Sequence, residues 1–406
     1  MDSFILEIDN FLNYISEVGY SKLFRIFWFF FIFEFARYIL IDFSALIFIK
    51  IKRVLTKSKR ENAQRRFLEE NPLISILVPG KNEGKHIFKL VSSLREQTYN
   101  NYELIIIDDG SDDKTEEICT NLKKNGFIDF FVRNEVRGGK ASGANTALRL
   151  AKGKYVIHLD ADCSYDRDAI EQIIISFYED QEVGAVGGNV MVRNYKESLV
   201  TTLQAFEYGD AISIGRMVAS YLGIYRIISG AFGAFRMDLL KRMHGWDIGP
   251  GLDGDITVKF RKLGCKIVFE DRAVCQTNVP NTFRKLVKQR LRWDKSLIRF
   301  RIRKHRDVLI PNENFKLINF ISFSENIFYN LILNIKWYVY VIDIVINYGN
   351  NIPFIITMNF FLYAGTNYFK LLVFNFFRER KNVPFSYFLI FVPVMVVYHG
   401  YMLRLV

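Results

Sequence analysis

LIIIDDGS, at residues 104–111, is an aliphatic run that ends in two carboxylates, a glycine and a serine. A short unbroken apolar run bounded by turn residues reads as a strand buried on both faces. Gly110 supplies the turn, and Ser111 can cap a following helix. The strand extends back to Tyr102, giving YELIIIDD over 102–109. In open α/β sheets, ligands bind beyond the carboxyl ends of the strands. Asp108 and Asp109 are therefore expected where a nucleotide would lie, although a plain turn-and-cap sequence uses the same residue types.

The same grammar recurs on both sides. LISILVP (73–79), FIDFFVR (127–133) and KYVIHLD (154–160) read as further strands. Helices are expected over 86–96, 112–124 and 140–151. Such alternation, from 73 to about 275, predicts an α/β layered domain with a largely parallel sheet. HLDADCS (158–164) again ends a strand in acid. Asp160 and Asp162, two apart on extended chain, point the same way. Paired carboxylates with open oxygen positions suit a hard divalent cation that bridges a diphosphate. RGGKASGANTAL (137–148) is neither a Walker A loop nor a dinucleotide fingerprint. Its glycine pair can still hold a loop close to phosphate, with Lys140 as the cation.

The flanks are of another kind. The chain has 406 residues, a formal charge of +12, 50% hydrophobic and 24% charged residues, with 38 Phe and 21 Tyr. Mean hydropathy is only +0.07. This much apolar material excludes disorder, and 25 Gly with 8 Pro exclude a collagen-like chain. The near-zero hydropathy averages unlike segments. Residues 23–49 would form ~40 Å of helix, enough to cross a bilayer with tilt. A helix lying in the interface is the alternative. Glu34 and Arg37 interrupt the segment three residues apart and are expected to pair. Asp42 interrupts it again.

Residues 50–66 carry eight Lys/Arg and one Glu, while residues 1–22 hold four acids and one Lys. The positive-inside rule places the chain after residue 50 in the cytoplasm. Further spans are expected at 326–347, 352–377 and 384–403, with an interfacial helix at 312–324. The expected organisation is an N-terminal transmembrane helix (1–52), a basic linker (53–71), the α/β domain (72–300), a basic interfacial region (301–325) and three transmembrane helices (326–406). The expected location is the inner or plasma membrane, with the α/β domain cytoplasmic and both termini outside. Residues 284–306 contain eleven Lys/Arg and one Asp, an affinity for membrane lipids; interleaved spans argue against nucleic acid. Cys119, Cys163, Cys265 and Cys275 show neither a CxxC pair nor zinc-ligand spacing and are expected as free thiols.

In order, VPGKNE (78–83), DDGS (108–111), RGGKA (137–141), DAD (160–162), SGAFGAFR (229–236), an acidic motif near 253 and QRLRW (289–293) resemble the family 2 inverting glycosyltransferases with a membrane-embedded C-terminus. Cellulose, chitin, hyaluronan and poly-N-acetylglucosamine synthases are of this type. The resemblance covers about residues 72–300. It implies a GT-A type nucleotide-sugar-binding α/β domain with a mostly parallel sheet, beside about four transmembrane helices (one N-terminal, three C-terminal). It also implies a UDP-sugar donor contacted by Pro79, Glu83, Asp108, Asp109, Lys140, Asp160, Gln289, Arg290 and Arg292. Asp160 and Asp162 would hold Mg²⁺ or Mn²⁺. Gly230 and Trp293 would face the acceptor, with Gln289 able to bond its hydroxyls.

The family's base lies eleven positions before a glycine that ends a helix, and Gly264 points to Asp253. Leu252 stands where the family usually has an acid, so Asp255 is the alternative. The implied acceptor is a growing β-linked polysaccharide, added processively and exported, with possible accessory export subunits. A membrane lipid acceptor, as in ceramide glucosyltransferases, is the alternative; a non-enzymatic basic scaffold is the reading from another class. Asn330, Asn334, Lys336 and Asp343 would line a polymer path, or Lys336 and Asp343 would simply pair.

Overall fold

The computed structural model of the protein describes residues 19–249, 251–297, 304–310, 317–379, 384–400 and 402. Part of the basic tract (298–303), the start of the 312–324 segment and the acidic stretch before residue 19 lie outside the described residues.

The opening stretch forms strand β2 (Tyr102–Asp108), flanked by β1 (Ile74–Gly80), β3 (Phe130–Arg133) and β4 (Tyr155–Leu159). Helices Gly84–Arg95, Thr115–Lys124 and Lys140–Leu150 connect them, close to the predicted bounds. The strand sequences are unbroken apolar runs because both faces are covered. Along β1, Ile74, Ile76 and Val78 pack with helices Gly84–Arg95 and Ala169–Glu179. Leu77 faces the opposite layer, with Ala141, Ala144 and Ala147 of helix Lys140–Leu150.

Four more strands complete the sheet: β5 (Ser164–Tyr165), β6 (Val183–Val192), β7 (Phe232–Arg236) and β8 (Lys266–Thr277). The order is β3-β2-β1-β4-β7-β6-β8-β5. The expectation of a mostly parallel sheet is corrected to a mixed one. The half β3-β2-β1-β4 is parallel, but β7 runs antiparallel to both its neighbours, β4 and β6. The chain re-enters the sheet beside the point where β4 leaves it, with Asp160 N–H donating to Ala231 O at 3.4 Å, so β7 must run backwards. Strand β6 was hidden by its glycines: a Cβ on Gly187 would run into the Tyr225 hydroxyl, and one on Gly188 into the Phe232 ring.

Outside the sheet, Tyr20–Phe29, the wider-turned Phe30–Ile41 and Asp42–Leu55 follow without a break. Those wide turns bring residues five apart alongside. Arg37 consequently pairs with Asp42, and lies 3.8 Å from Glu325, in place of the expected Glu34 partner. Helix Leu317–Ile327 continues through Phe328–Ile332 into Leu333–Asn347, so the described part of the 312–324 segment is joined to the helix expected at 326–347. Helix Ile352–Phe377 follows. The 384–403 segment is broken into Phe385–Leu389 and Val392–Gly400. Pro393 explains the break, since its missing N–H is tolerated only in a first helical turn. Among the described residues no single helix is long and apolar enough to cross a membrane. Leu333–Asn347 with Gly349–Phe377 passes on length and composition as a pair bent by 99°.

Candidate active site

Strands β1, β2 and β4 run parallel, so their carboxyl ends share one edge of the sheet. Gly80 pairs with Asp108 in register, and Asp109 N–H donates to Gly80 O at 2.8 Å. The two adjacent aspartates then do different jobs. Asp109 Oδ1 accepts from Gly138 N–H and Oδ2 from Gly139 N–H, both at 2.8 Å. It clamps the glycine loop, and its two oxygens are occupied in doing so. Asp108 Oδ1 accepts from Ser111 N–H at 3.0 Å and from the Ser111 hydroxyl. Its buried Oδ2 has no hydrogen bond among the described residues, with Arg133 Nε 4.0 Å away. The loop-clamping role of Asp109 was not read from the sequence; the glycine pair 29 and 30 residues on was the available signal.

The clamped loop delivers Lys140, first residue of helix Lys140–Leu150, to Asp160 beyond β4, where the two side chains pair. Pro79 supports this geometry: a Cβ on Gly143 would come within 2.9 Å of its ring, so the helix packs directly on it. Burial alone would raise the Asp160 carboxyl, but Lys140, with His158 and Arg292, holds it below the usual range. Glu83 behaves oppositely. Burial, then Asp162 and Asp160, push its carboxyl up to about 7. Asp160, Asp162 and Glu83 are thus one crowded acidic edge.

Asp253 lies in the first turn of helix Leu252–Lys262. The Gly230 N–H lies close to its carboxylate. A Cβ on Gly230 would collide with Asp253 and come within 3.1 Å of Lys140 Nζ. His158 Nδ1 holds the other side of this glycine, bonding Gly230 O at 2.7 Å. Burial raises the Asp253 carboxyl; Lys140 and the Gly230 N–H offset part of that, and Asp160 adds to it. Asp255 has other company. It is buried, 2.6 Å from His305 Nε2 and 2.7 Å from Lys304 Nζ. Burial would raise it, but these hydrogen bonds win and hold it low.

QRLRW lies on helix Phe283–Leu297. Residues two apart on a helix do not share a face, and the two arginines diverge. Arg292 is exposed and near enough to Asp160 to lower it. Arg290 turns away, donating to Glu207 at 2.8 Å and lying 4.6 Å above the Trp293 ring. Gln289 Oε1 is buried without a hydrogen bond among the described residues, and Trp293 is 38% exposed. The structure therefore gathers Glu83, Lys140, Asp160, Asp162, Gly230 and Asp253, with Arg292 beside them, and leaves Arg290 and Asp255 outside the cluster. A cleft of about 800 Å³, lined by Arg66, Glu70, Lys154, Tyr178 and Arg236 among others, opens at the opposite end of the strands.

The model of the family described as Glycosyl transferase family 2 matches residues 75–243. A poly-β-1,6-N-acetyl-D-glucosamine synthase of Staphylococcus epidermidis is 39% identical over 223 residues, 54% of this chain and 53% of that protein. The synthase of the same name from Staphylococcus aureus (strain COL) is 35% identical over 222 residues, 54% of this chain and 53% of that one. The chain thus spans about half the length of the curated relatives it matches. A mannosyltransferase of Pyrobaculum calidifontis, solved with GDP-mannose and Mn²⁺, shares the fold with a TM-score of 0.56 at 20% identity, over 90% of this chain and 94% of that one. The mixed sheet, the acidic ends of its parallel strands and these likenesses converge: residues 75–243 form a glycosyltransferase family 2 domain of GT-A-like fold.

Proposed function

We propose that this chain is an inverting glycosyltransferase that moves a sugar from a UDP-sugar to a growing β-linked polysaccharide at a membrane. The observation that carries the reading is Asp253 set against the Lys140–Asp160 pair, at the edge where the parallel strands end. Asp253 takes the proton of the acceptor hydroxyl as that oxygen bonds to the sugar's anomeric carbon. The bond from that carbon to the diphosphate oxygen breaks, and UDP leaves. A single in-line displacement inverts the centre, giving a β-linkage from an α-linked donor. A carboxylate raised by burial is suited to this task near neutral pH. Lys140 and Arg292 face the charge that develops on the departing diphosphate. Of the two adjacent aspartates Asp108, whose buried Oδ2 has no hydrogen bond among the described residues, is the one with an acceptor left for the nucleoside. Trp293 offers an exposed ring on which an acceptor sugar can stack.

Asp160 and Asp162 would hold Mg²⁺ or Mn²⁺. Among the described residues no group of three or more His, Cys, Asp or Glu could enclose a metal ion. Two carboxylates that share the ion with substrate phosphates need no such cage. Glu83 fits this: burial first, then Asp162 and Asp160, raise it, and a cation would relieve the part that these two carboxylates add. When bound, the metal supplies charge stabilisation to the leaving diphosphate.

The relatives' names support N-acetylglucosamine as the sugar and a polysaccharide as the acceptor. Membrane attachment is supported by Ile335, Val339, Ile342 and Ile346, which are exposed at helical spacing along Leu333–Asn347. Processive addition, export past the C-terminal helices, accessory subunits, a cytoplasmic catalytic domain and outward termini belong to the same proposal. The polymer-path residues carry it less far: Asp343 accepts from Asn347 at 2.7 Å, Lys336 is exposed, and the Asn330 side chain lies outside the described residues.

The test is a panel of UDP-sugars with the purified full chain and Mg²⁺ or Mn²⁺, reading UDP release and product size. Long polymer from UDP-N-acetylglucosamine is expected. A single sugar on a lipid would select the lipid acceptor, and no UDP release from any donor would sink the reading.

A further inference from the structure

Helix Leu199–Glu207 ends on a carboxylate that joins three parts of the molecule. Glu207 Oε2 accepts from Arg290 Nη2 at 2.8 Å and from the Tyr398 hydroxyl at 3.0 Å. The Glu207 and Arg290 side chains are only 13% and 17% exposed. Charge-assisted hydrogen bonds at low exposure are among the stronger and more directional contacts a protein makes. Arg290 in turn lies 4.6 Å over the Trp293 ring, near enough for a cation–π contact. Tyr398 belongs to helix Val392–Gly400, and Arg290 to the helix that carries Gln289, Arg292 and Trp293. Three residues along from Glu207, Asp210 receives Lys370 Nζ of helix Ile352–Phe377 at 3.3 Å. One helical run of the α/β domain therefore grips two of the C-terminal helices, Ile352–Phe377 and Val392–Gly400, and the helix of the acceptor side.

We propose that Glu207 is a positioning residue for the acceptor. It fixes Arg290, Arg290 fixes the Trp293 indole, and Tyr398 ties that ring's placement to the C-terminal helices. Glu207 itself touches no substrate. The inference rests on the reading of Trp293 as an acceptor-side residue of a polysaccharide-forming glycosyltransferase. Its consequence is a selective one: loosening Glu207 impairs capture of the acceptor and retention of the chain, while the donor side, built on β1, β2 and β4, keeps its affinity.

The experiment uses the full chain in lipid nanodiscs with UDP-N-acetylglucosamine as donor and a soluble β-1,6-linked N-acetylglucosamine hexamer as acceptor probe. Glu207→Gln keeps the side-chain volume and removes the charge. It is expected to raise the acceptor KM about tenfold, shorten the polymer and leave the donor KM within about twofold. Tyr398→Phe, isosteric but for the hydroxyl, is expected to act in the same direction by about threefold. Hydrogen exchange in 283–297 is expected to quicken in Glu207→Gln while β1 and β4 stay protected. Acceptor KM and product length unchanged in both variants would overturn the inference, as would a donor KM that rises in step. If Glu207→Gln fails to fold, Tyr398→Phe carries the same test. A wild type that releases no UDP sinks the functional reading instead, and the exchange measurement still judges Glu207: unchanged exchange in 283–297 overturns its role.

Discussion

Asp253 and Asp255 stand two positions apart on one helix and have opposite surroundings. Asp253→Asn is expected to cut sugar transfer about 10³-fold, read as UDP release, with UDP binding retained. Asp255→Asn should instead lower the melting temperature and leave transfer largely intact, because its partners are Lys304 and His305. That stability has a sign. Asp255 is held below its usual pKa, so its contribution is present above the ordinary carboxylate range and is lost as pH falls through its lowered value. Asp253 is shifted the other way, and the base must be unprotonated, so activity falls as pH drops through the raised value. Lys140, Asp160, Arg216 and the Gly230 N–H face that carboxyl. Of these Lys140 is the main depressing charge, so Lys140→Met should move the acid limb of kcat/KM to higher pH, besides lowering kcat. Both candidate bases were legible as residues. Which of them meets Lys140 was not, because two-residue spacing shows that they diverge and is silent on which side of the helix the sheet lies.

At the scale of elements, strands β1 to β4 were legible because each is a short aliphatic run closed by turn residues. Strands β6 and β8 were not. Gly187 and Gly188 dilute the apolar signal of β6, and β8 carries Glu270 and Asp271, buried charges that pair with Arg60 and Arg53 of the helices before the domain. Helix Ile352–Phe377 holds a similar contact in Lys370, which meets Asp210 across the intervening residues 211–369. Removing one partner of a buried ion pair costs about 3–5 kcal/mol, since the other charge is left uncompensated. Lys370→Met should therefore lower the melting temperature sharply. Adding Asp210→Asn should recover part of the loss, as a thermal-unfolding double-mutant cycle would show.

Across the whole molecule, the acidic edge and the apolar helices make two independent demands on the surroundings. Chelation with EDTA is expected to stop UDP release, and Mg²⁺ or Mn²⁺ to restore it. Asp160→Ala and Asp162→Ala should not respond to added metal. The apolar runs and basic tracts were plain in the sequence, yet the segment expected as a span at 384–403 is broken, because Pro393 acts through backbone geometry that hydropathy does not register. Period and punctuation along the chain were enough to set the α/β alternation and to put carboxylates at the ends of β2 and β4, for these follow from the local geometry of each strand. The reversal of β7, the use of Asp109 as a loop clamp, the parting of Arg290 from Arg292 and the meeting of Asp253 with Lys140 came only with folding. Each depends on which face of an element a distant segment covers, and contacts far apart in the chain leave no periodic trace in it.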